Sequence, residues 1–414
     1  MERLIFHVDV NSAYLSWEAA RRVAEGGEDL RLVPAVIGGD PEKRTGVVLA
    51  KSIPAKRFGV KTGEPLSAAL RKCPGLILAR PDFRLYEKNS RAFLEICRSY
   101  APVVEQASID ECFCDFSGTS YLYPDPLAAA HELKDRIRDT LGFTVNVGIS
   151  RNKLLAKMAS DFEKPDKVHT LFPEEIPKKM WPLPVGELFS VGGNTASRLR
   201  RERIATIGDL ARMPLPSLRA LVGNKAGQQL HNYANGLDDS PVLAEPEEAK
   251  GYSISTTTEE DVVDTEAAKR ILLALADSVS ARMRAEGARA ACVAVTIRGN
   301  DFKNKSHQRQ LDIPTDVTGE VYEVAASLFE ELWDRRTPLR LLGISLTNLS
   351  RGEEAQLSLF EDKGREKSRK LDRAMDAIRG RYGSGSIQRV SAMETAERIG
   401  RKYQAQMEAE KEDE

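Results

Sequence analysis

The sequence predicts a multidomain α+β protein. Three observations carry that expectation. The first 170 residues mix buried-strand patterns with amphipathic-helix patterns. Prolines mark two boundaries, at Pro173, Pro177, Pro182 and Pro184 and again at Pro241 and Pro246. The block from 251 to 349 alternates as β-α-β-β-α-β. At about 100–200 residues per domain, 414 residues leave room for two to four domains.

Along the chain, residues 4–10 (LIFHVDV) read as a buried strand, with Asp9 near its C-terminal end. The next stretch, NSAYLSWEAARRVAE, has helical spacing, and Asn11 or Ser12 can cap it. An acid at a strand end just before a helix start suits a metal or phosphate site. Residues 84–100 read as helix. Residues 103–116 (VVEQASIDECFCDF) read as strand interrupted by Asp110–Glu111. A helix is expected over 126–141, stopped by Gly142, then a strand over 143–149 and a helix from Ser150. Two short helical hairpins follow near 186–212 and 216–236. In the last block we expect strand 251–258, helix 265–286, strands 290–298 and 306–311, helix 315–334 and strand 340–349, one sheet with two helices on a face. The charged tail after Arg351 is expected to be mobile, with one or two marginal helices.

Composition narrows the class. Hydrophobic residues make up 41% and charged residues 30%, an ordinary globular balance. The N-terminal apolar run is short and Asp9 interrupts it, which argues against a signal peptide or membrane span and for a cytoplasmic protein. The five cysteines, Cys73, Cys97, Cys112, Cys114 and Cys292, lack zinc spacing and read as reduced core thiols; Cys112 and Cys114 share a face of their strand. A net charge of −1 does not announce a nucleic-acid binder, so such a reading must rest on local cationic clusters.

The carboxylates are the first candidates for chemistry. Phosphoryl transfer to a hydroxyl needs the phosphate charge neutralised and the hydroxyl made nucleophilic, and a pair of divalent ions does both. Magnesium takes oxygen ligands, commonly a few carboxylates plus substrate phosphates. Asp9 on one strand and Asp110–Glu111 on another could supply them. Neighbouring residues on a regular strand face opposite ways, so the pair serves one site only where the chain turns. By spacing alone the pair reads first as a solvated turn between strands. Asp9 is less ordinary, because an acid in a buried strand is costly unless paired or bound to a cation.

Four segments then agree with one family. HVDVNSAYLSWE (7–18) resembles the first catalytic motif of Y-family translesion DNA polymerases, and ASIDECFCDF (107–116) resembles the second. IPAKRFGVKTGEP (53–65) is similar to the nucleotide-contacting segment between them, and GISRNKLLAKMASDFEKPD (148–166) to the motif that follows. The order and spacing are those of the family, and the likeness extends over roughly residues 1–360. It implies a right-hand polymerase: a palm from 1–20 and 76–170, small fingers at 21–75, a helix-hairpin-helix thumb at 171–240, a linker at 241–250, a β-α-β-β-α-β little finger at 251–349 and a charged tail at 350–414.

The resemblance also implies roles. Asp9 and Asp110 match the residues that hold both metals, Glu111 the acid nearest the primer 3′-hydroxyl, and the Val10 carbonyl a backbone ligand. The implied ions are two Mg2+, with Mn2+ as an alternative. Tyr14 matches the steric gate that clashes with a 2′-hydroxyl; by pattern alone it reads as readily as a core aromatic. Lys56, Arg57 and Lys164 match the cations of the triphosphate grip. Here the sequence departs from common family usage, with Ile53 for a tyrosine, Lys56 for an arginine, Asn11 for an acid and Ala13 for an aromatic. Lysine offers a point charge rather than a fork.

DNA contacts are expected in two places. LFSVGGNTASRLRRERIATIGDL (188–210) reads as a helix-hairpin-helix whose Gly192–Gly193 turn exposes backbone N–H groups toward a phosphate, flanked by Arg198, Arg200, Arg201 and Arg203. Family turns often begin with Gly where Ser190 stands. The alternative is a hairpin that only packs. In the last domain Arg298, Lys303, Lys305 and Arg309 form a candidate phosphate track. Finally, Gln356, Leu357, Ser358, Leu359 and Phe360 resemble the peptide by which bacterial polymerases dock on the sliding clamp, an apolar pentapeptide in a charged tail.

The expected protein is a monomeric, low-fidelity DNA-templated DNA polymerase that uses dNTPs and primer-template DNA, with the sliding clamp as partner and no membrane association. Two rivals stand beside it. One is another palm-type two-metal enzyme, a cyclase or nuclease. The other is a DNA- and clamp-binding accessory protein that has lost catalysis.

Overall fold

The run IFHVDV is buried along its whole length as the strand Ile5–Val10, and it forms the middle of a five-stranded sheet. In this computed structural model, which describes residues 3–40, 46–351, 363–383 and 385–389, the strand order is Val103–Gln106, Glu111–Asp115, Ile5–Val10, Val145–Ser150, Val168–Thr170. Only the last pair is parallel. Period-two alternation gives the sheet two unlike faces. Phe6, Val8, Cys112, Cys114, Val147 and Ile149 join a core with Phe93, Leu133 and Ile137 from the helices Phe83–Arg98 and Pro126–Leu141. Ile5, Phe113 and Ala156 pack on the other face.

Local signals set the helix ends. Asp82 and Asp125 cap their helices by accepting from the backbone N–H groups of Leu85 and Leu127, and Gly142 ends the second in the left-handed conformation at φ 76°. The helix expected from Ser150 begins three residues later, as Lys153–Ser160. Ser150 finishes the strand, and Asn152 supplies the cap by accepting from Leu155 N. This helix lies flush on the sheet because Gly148 has no side chain: a Cβ there would come within 2.0 Å of the Ala156 carbonyl oxygen.

The same compact unit, residues 3–39 and 47–246, contains two smaller assemblies. The first is a three-stranded sheet in the order Val48–Lys51, Ala35–Gly38, Ile77–Ala79, closed by the helices Ile53–Arg57 and Leu66–Lys72 over Val36, Val48, Val60 and Leu66. The second is a helical body of Gly193–Arg201, Ile207–Arg212, Leu215–Val222 and Asn224–Ala234, packed around Leu199, Ile207, Leu210, Leu218 and Leu230.

The second unit, from residue 247 onward, carries an antiparallel sheet in the order Asn304–Thr315, Ala288–Gly299, Leu339–Arg351, Gly251–Val262. The helices Thr265–Ala285 and Thr318–Leu332 share its core, as the alternating pattern predicts. The tail differs from expectation. Lys363–Tyr382 is a helix of 20 residues fixed to this unit by charge pairs. Arg284, its side chain only 6% exposed, holds Asp376 at 2.7 Å and Asp372 at 3.5 Å, while Arg379 reaches Asp277 at 2.6 Å and Arg369 reaches Asp316 at 2.9 Å. Met375 is buried beside them. Reading the charged tail as mobile missed its partners elsewhere in the chain, Arg284, Asp277 and the buried Asp316. The pentapeptide 356–360 lies outside the described residues.

Candidate active site in the first unit

Register decides which acids meet. Asp9 is the cross-strand partner of Glu111, so the two side chains are neighbours on one face of the sheet. The strand before Glu111 ends at Gln106, and both Ala107 N and Ser108 N donate to the Glu111 carbonyl at 3.0 and 3.2 Å. That tight turn places Asp110 off the strand. Its carbonyl accepts from Val10 N at 3.0 Å, and its carboxylate accepts from Ser108 Oγ at 2.7 Å. The turn supplies the condition under which adjacent acids can serve one site.

Two lysines and a histidine offset this negative charge. Asp9 is 7% exposed, and burial pushes its carboxyl above the usual range, with Lys164 beside it pulling the other way. Lys164 Nζ lies between Asp9 and Asp161, 2.8 Å from the latter. Glu111 behaves oppositely. His7 and Lys157 hold its carboxyl down at about 2, with Lys157 Nζ at 2.5 Å and His7 Nε2 at 3.4 Å. His7 is buried, and its other ring nitrogen is 2.8 Å from Ser160 Oγ. Asn146, opposite Asp9 on the other flank, is tied to the Ser160 and Glu163 carbonyls and accepts from Asn11. Asn11 accepts from Asp166 N at 2.9 Å and so latches the segment that carries Lys164. A buried acid demanding a cation, with hard oxygen donors on adjoining strands, suits a divalent ion of the magnesium or manganese kind. Asp9, Asp110 and Glu111 are the side chains that would hold it.

Sequence reasoning missed His7 and Lys157. His7 stands two residues before Asp9, so strand alternation gives both one face, and that signal was legible. Lys157 reaches Glu111 only because Gly148 lets its helix settle on the sheet. Beside Glu111 opens a cavity of about 350 Å3 lined by Lys153, Lys157, Phe189 and Tyr233 among others.

Tyr14, in the first turn of the helix Ala13–Ala24, stacks on Tyr86 with centroids 4.5 Å apart and meets Phe83 edge-on. Partial burial, and then the nearby Asp110 charge, push its phenol up. The ring thus stands between an aromatic wall and the acids. Lys56 and Arg57 sit exposed at the end of the short helix Ile53–Arg57, started by Pro54 and capped by Ser52. Lys164, expected with them, lies against Asp9.

In the helical body Gly192 and Gly193 open the helix Gly193–Arg201, and a Cβ at either would meet nothing within 4 Å. Ser190 takes φ 73°, a left-handed conformation that favours glycine. Arg198, Arg200 and Arg201 are exposed in the last turn of that helix and Arg203 just past it, at the opposite end from the glycine turn. In the second unit the expected cation track is divided by strand alternation. Arg298 donates to Asn304 on the open face of the sheet. Lys305 and Arg309 pair with Val-and-Ile-bearing core positions of the neighbouring strand and turn to the helix side, binding Asp334 at 3.1 Å and Glu331 at 2.5 Å. Lys303 is exposed at the hairpin.

The architecture, a carboxylate-bearing sheet with a small three-stranded appendage, a helical body and a separate β-α-β-β-α-β unit, is that of the Y-family polymerases. A solved Y-family DNA polymerase chimera has this fold, with a TM-score of 0.72, covering 84% of this chain and 100% of that one at 22% identity. Residues 8–161 match the impB/mucB/samB family model, 186–238 the DNA polymerase-iota thumb domain and 249–359 the impB/mucB/samB C-terminal domain. DNA polymerase IV of Clostridium acetobutylicum is 43% identical over 399 residues, 96% of this chain and 100% of the relative. DNA polymerase IV 2 of Bacillus subtilis is 38% identical, over 97% of this chain and 99% of the relative. The chain belongs to the impB/mucB/samB family, with the DNA polymerase IV enzymes of the Y-family. Among the described residues no helix is long and apolar enough to cross a membrane.

Proposed function

We propose that Asp9, Asp110 and Glu111 are the metal-binding carboxylates with which this chain, a DNA-directed DNA polymerase of the translesion type, adds deoxynucleotides to a primer. The observation that carries the assignment is the register of Asp9 against Glu111, with the turn that sets Asp110 beside Val10. A bound pair of magnesium ions, or manganese in their place, would lower the charge on the triphosphate and on the attacking 3′-hydroxyl. The protein's residues do the remainder by positioning and electrostatics. Asp9 and Asp110 face the triphosphate side, and the Val10 carbonyl adds a neutral donor. Glu111 lies toward the cavity, where the primer terminus fits. Lys164 leaves Asp9 for the incoming phosphates and joins Lys56 and Arg57 there. Tyr14 closes the floor under the sugar.

Gly192, Gly193 and Arg198 hold the duplex backbone without reading sequence, and Arg298 and Lys303 extend the grip in the second unit. Residues 356–360 tether the enzyme to the sliding clamp, which raises its local concentration at the primer. The chain works as a monomer in the cytoplasm.

The test offers the native chain a labelled primer-template with magnesium and each dNTP singly, opposite each template base. Addition should follow the template base. Primer shortening without nucleotide would favour a nuclease, and tight DNA binding without any addition would favour an accessory protein.

A further inference from the structure

On the face of the sheet opposite Asp9 and Glu111, the structure gathers three cysteines. Cys112 and Cys114 alternate along the strand that Glu111 begins, and Cys97 comes from the last turn of the helix Phe83–Arg98. All three are fully buried. Cys112 Sγ and Cys114 Sγ are 3.8 Å apart, and all three sulfurs lie within 4.8 Å of one another. They are the one group of three or more potential ligand side chains this close among the described residues.

Three buried thiols can be mere small apolar filling. Geometry argues for more. Sulfurs around a trigonal ion, with metal–sulfur bonds of about 2.3 Å, stand about 4 Å apart. The observed triangle is already near that size. Among the described residues no fourth His, Cys, Asp or Glu joins the group, which disfavours zinc, whose structural sites take four ligands. Soft sulfur donors select copper(I).

We propose that Cys97, Cys112 and Cys114 form a three-sulfur site for copper(I) on the reverse face of the strand that begins at Glu111. Binding forms three copper–sulfur bonds as Cys97, Cys112 and Cys114 give up their thiol protons to solvent; no oxidant or reductant is required. The ion would pin the Phe83–Arg98 helix to that strand. The site is separate from the carboxylates and does not depend on their role.

The test uses the full chain under anaerobic conditions, titrated with copper(I) held by a chromogenic chelator. The native chain should retain one ion, and X-ray absorption should show a first shell of three sulfurs. Loss of a direct ligand should exceed the roughly 10–100-fold cost of losing an outer partner. Cys97→Ala and Cys114→Ala should therefore weaken retention by more than about 100-fold, while Cys73→Ala and Cys292→Ala leave it unchanged. Copper should raise the melting temperature of the native chain but not of Cys97→Ala. A native chain that retains no copper, or a first shell with fewer than three sulfurs, overturns the proposal whether or not the variants fold. Equal retention by folded Cys97→Ala does so too.

Discussion

Replacing Glu111 by glutamine should destabilise the protein in a way that fades with acid. His7 and Lys157 hold the carboxyl at about 2, against its ordinary 4.5. At about 1.4 kcal/mol per tenfold change in proton affinity, that difference is on the order of 3 kcal/mol at neutral pH. A depressed carboxyl contributes stability that is fully present above its unfolded value and is lost as pH falls toward the folded one. The contribution should therefore shrink to about 2 kcal/mol near pH 3.5. The amide that Glu111→Gln introduces can still accept from Lys157, so the measured loss at pH 7 should lie between about 1 and 3 kcal/mol. Urea unfolding of both proteins at pH 7 and near pH 3.5, with EDTA present, reads this directly. Equal midpoints at pH 7, or a gap that does not narrow in acid, would refute the reasoning.

Other consequences can be checked separately. Tyr14→Ala should admit ribonucleotides, seen as primer extension with NTPs, and unchanged discrimination would make Tyr14 a packing residue. Arg284→Met leaves the buried Asp372 with Arg389 and deprives Asp376 of its partner. The Lys363–Tyr382 helix should then detach at a cost of about 3 kcal/mol, with faster proteolysis there as the readout. DNA affinity should fall steeply with salt, and Arg298→Ala should lower the slope of log affinity against log salt by about 1; an unchanged slope would remove that residue from the backbone contacts.

Much of this was legible because it is local. The alternating block, the Gly142 stop and the turn at Ser108 follow from period, φ preference and side-chain capping. What escaped was set at long range. Alternation told us that Cys112 and Cys114 share a face, but only the packing of a helix on that face brings Cys97 to them. Likewise Lys305 and Arg309 read as one phosphate track with Arg298 until the pairing with Ile297 and Val293 fixed the face they occupy. The tail reads as mobile for the same reason, because Arg284 and Asp277, its partners, lie about a hundred residues earlier. Departures from family usage carried local information too: Asn11 holds the Lys164 segment, a role its position alone did not suggest.

The most direct measurement compares Asp9→Asn, Asp110→Asn and Glu111→Gln with the native chain in single-nucleotide primer extension, with DNA affinity measured in parallel. Our account predicts that all three bind primer-template DNA nearly as the native chain does. Asp9→Asn and Asp110→Asn should add no nucleotide, and Glu111→Gln should add it far more slowly. Extension at native rates by any of the three, with DNA binding intact, would contradict the assignment of that carboxylate.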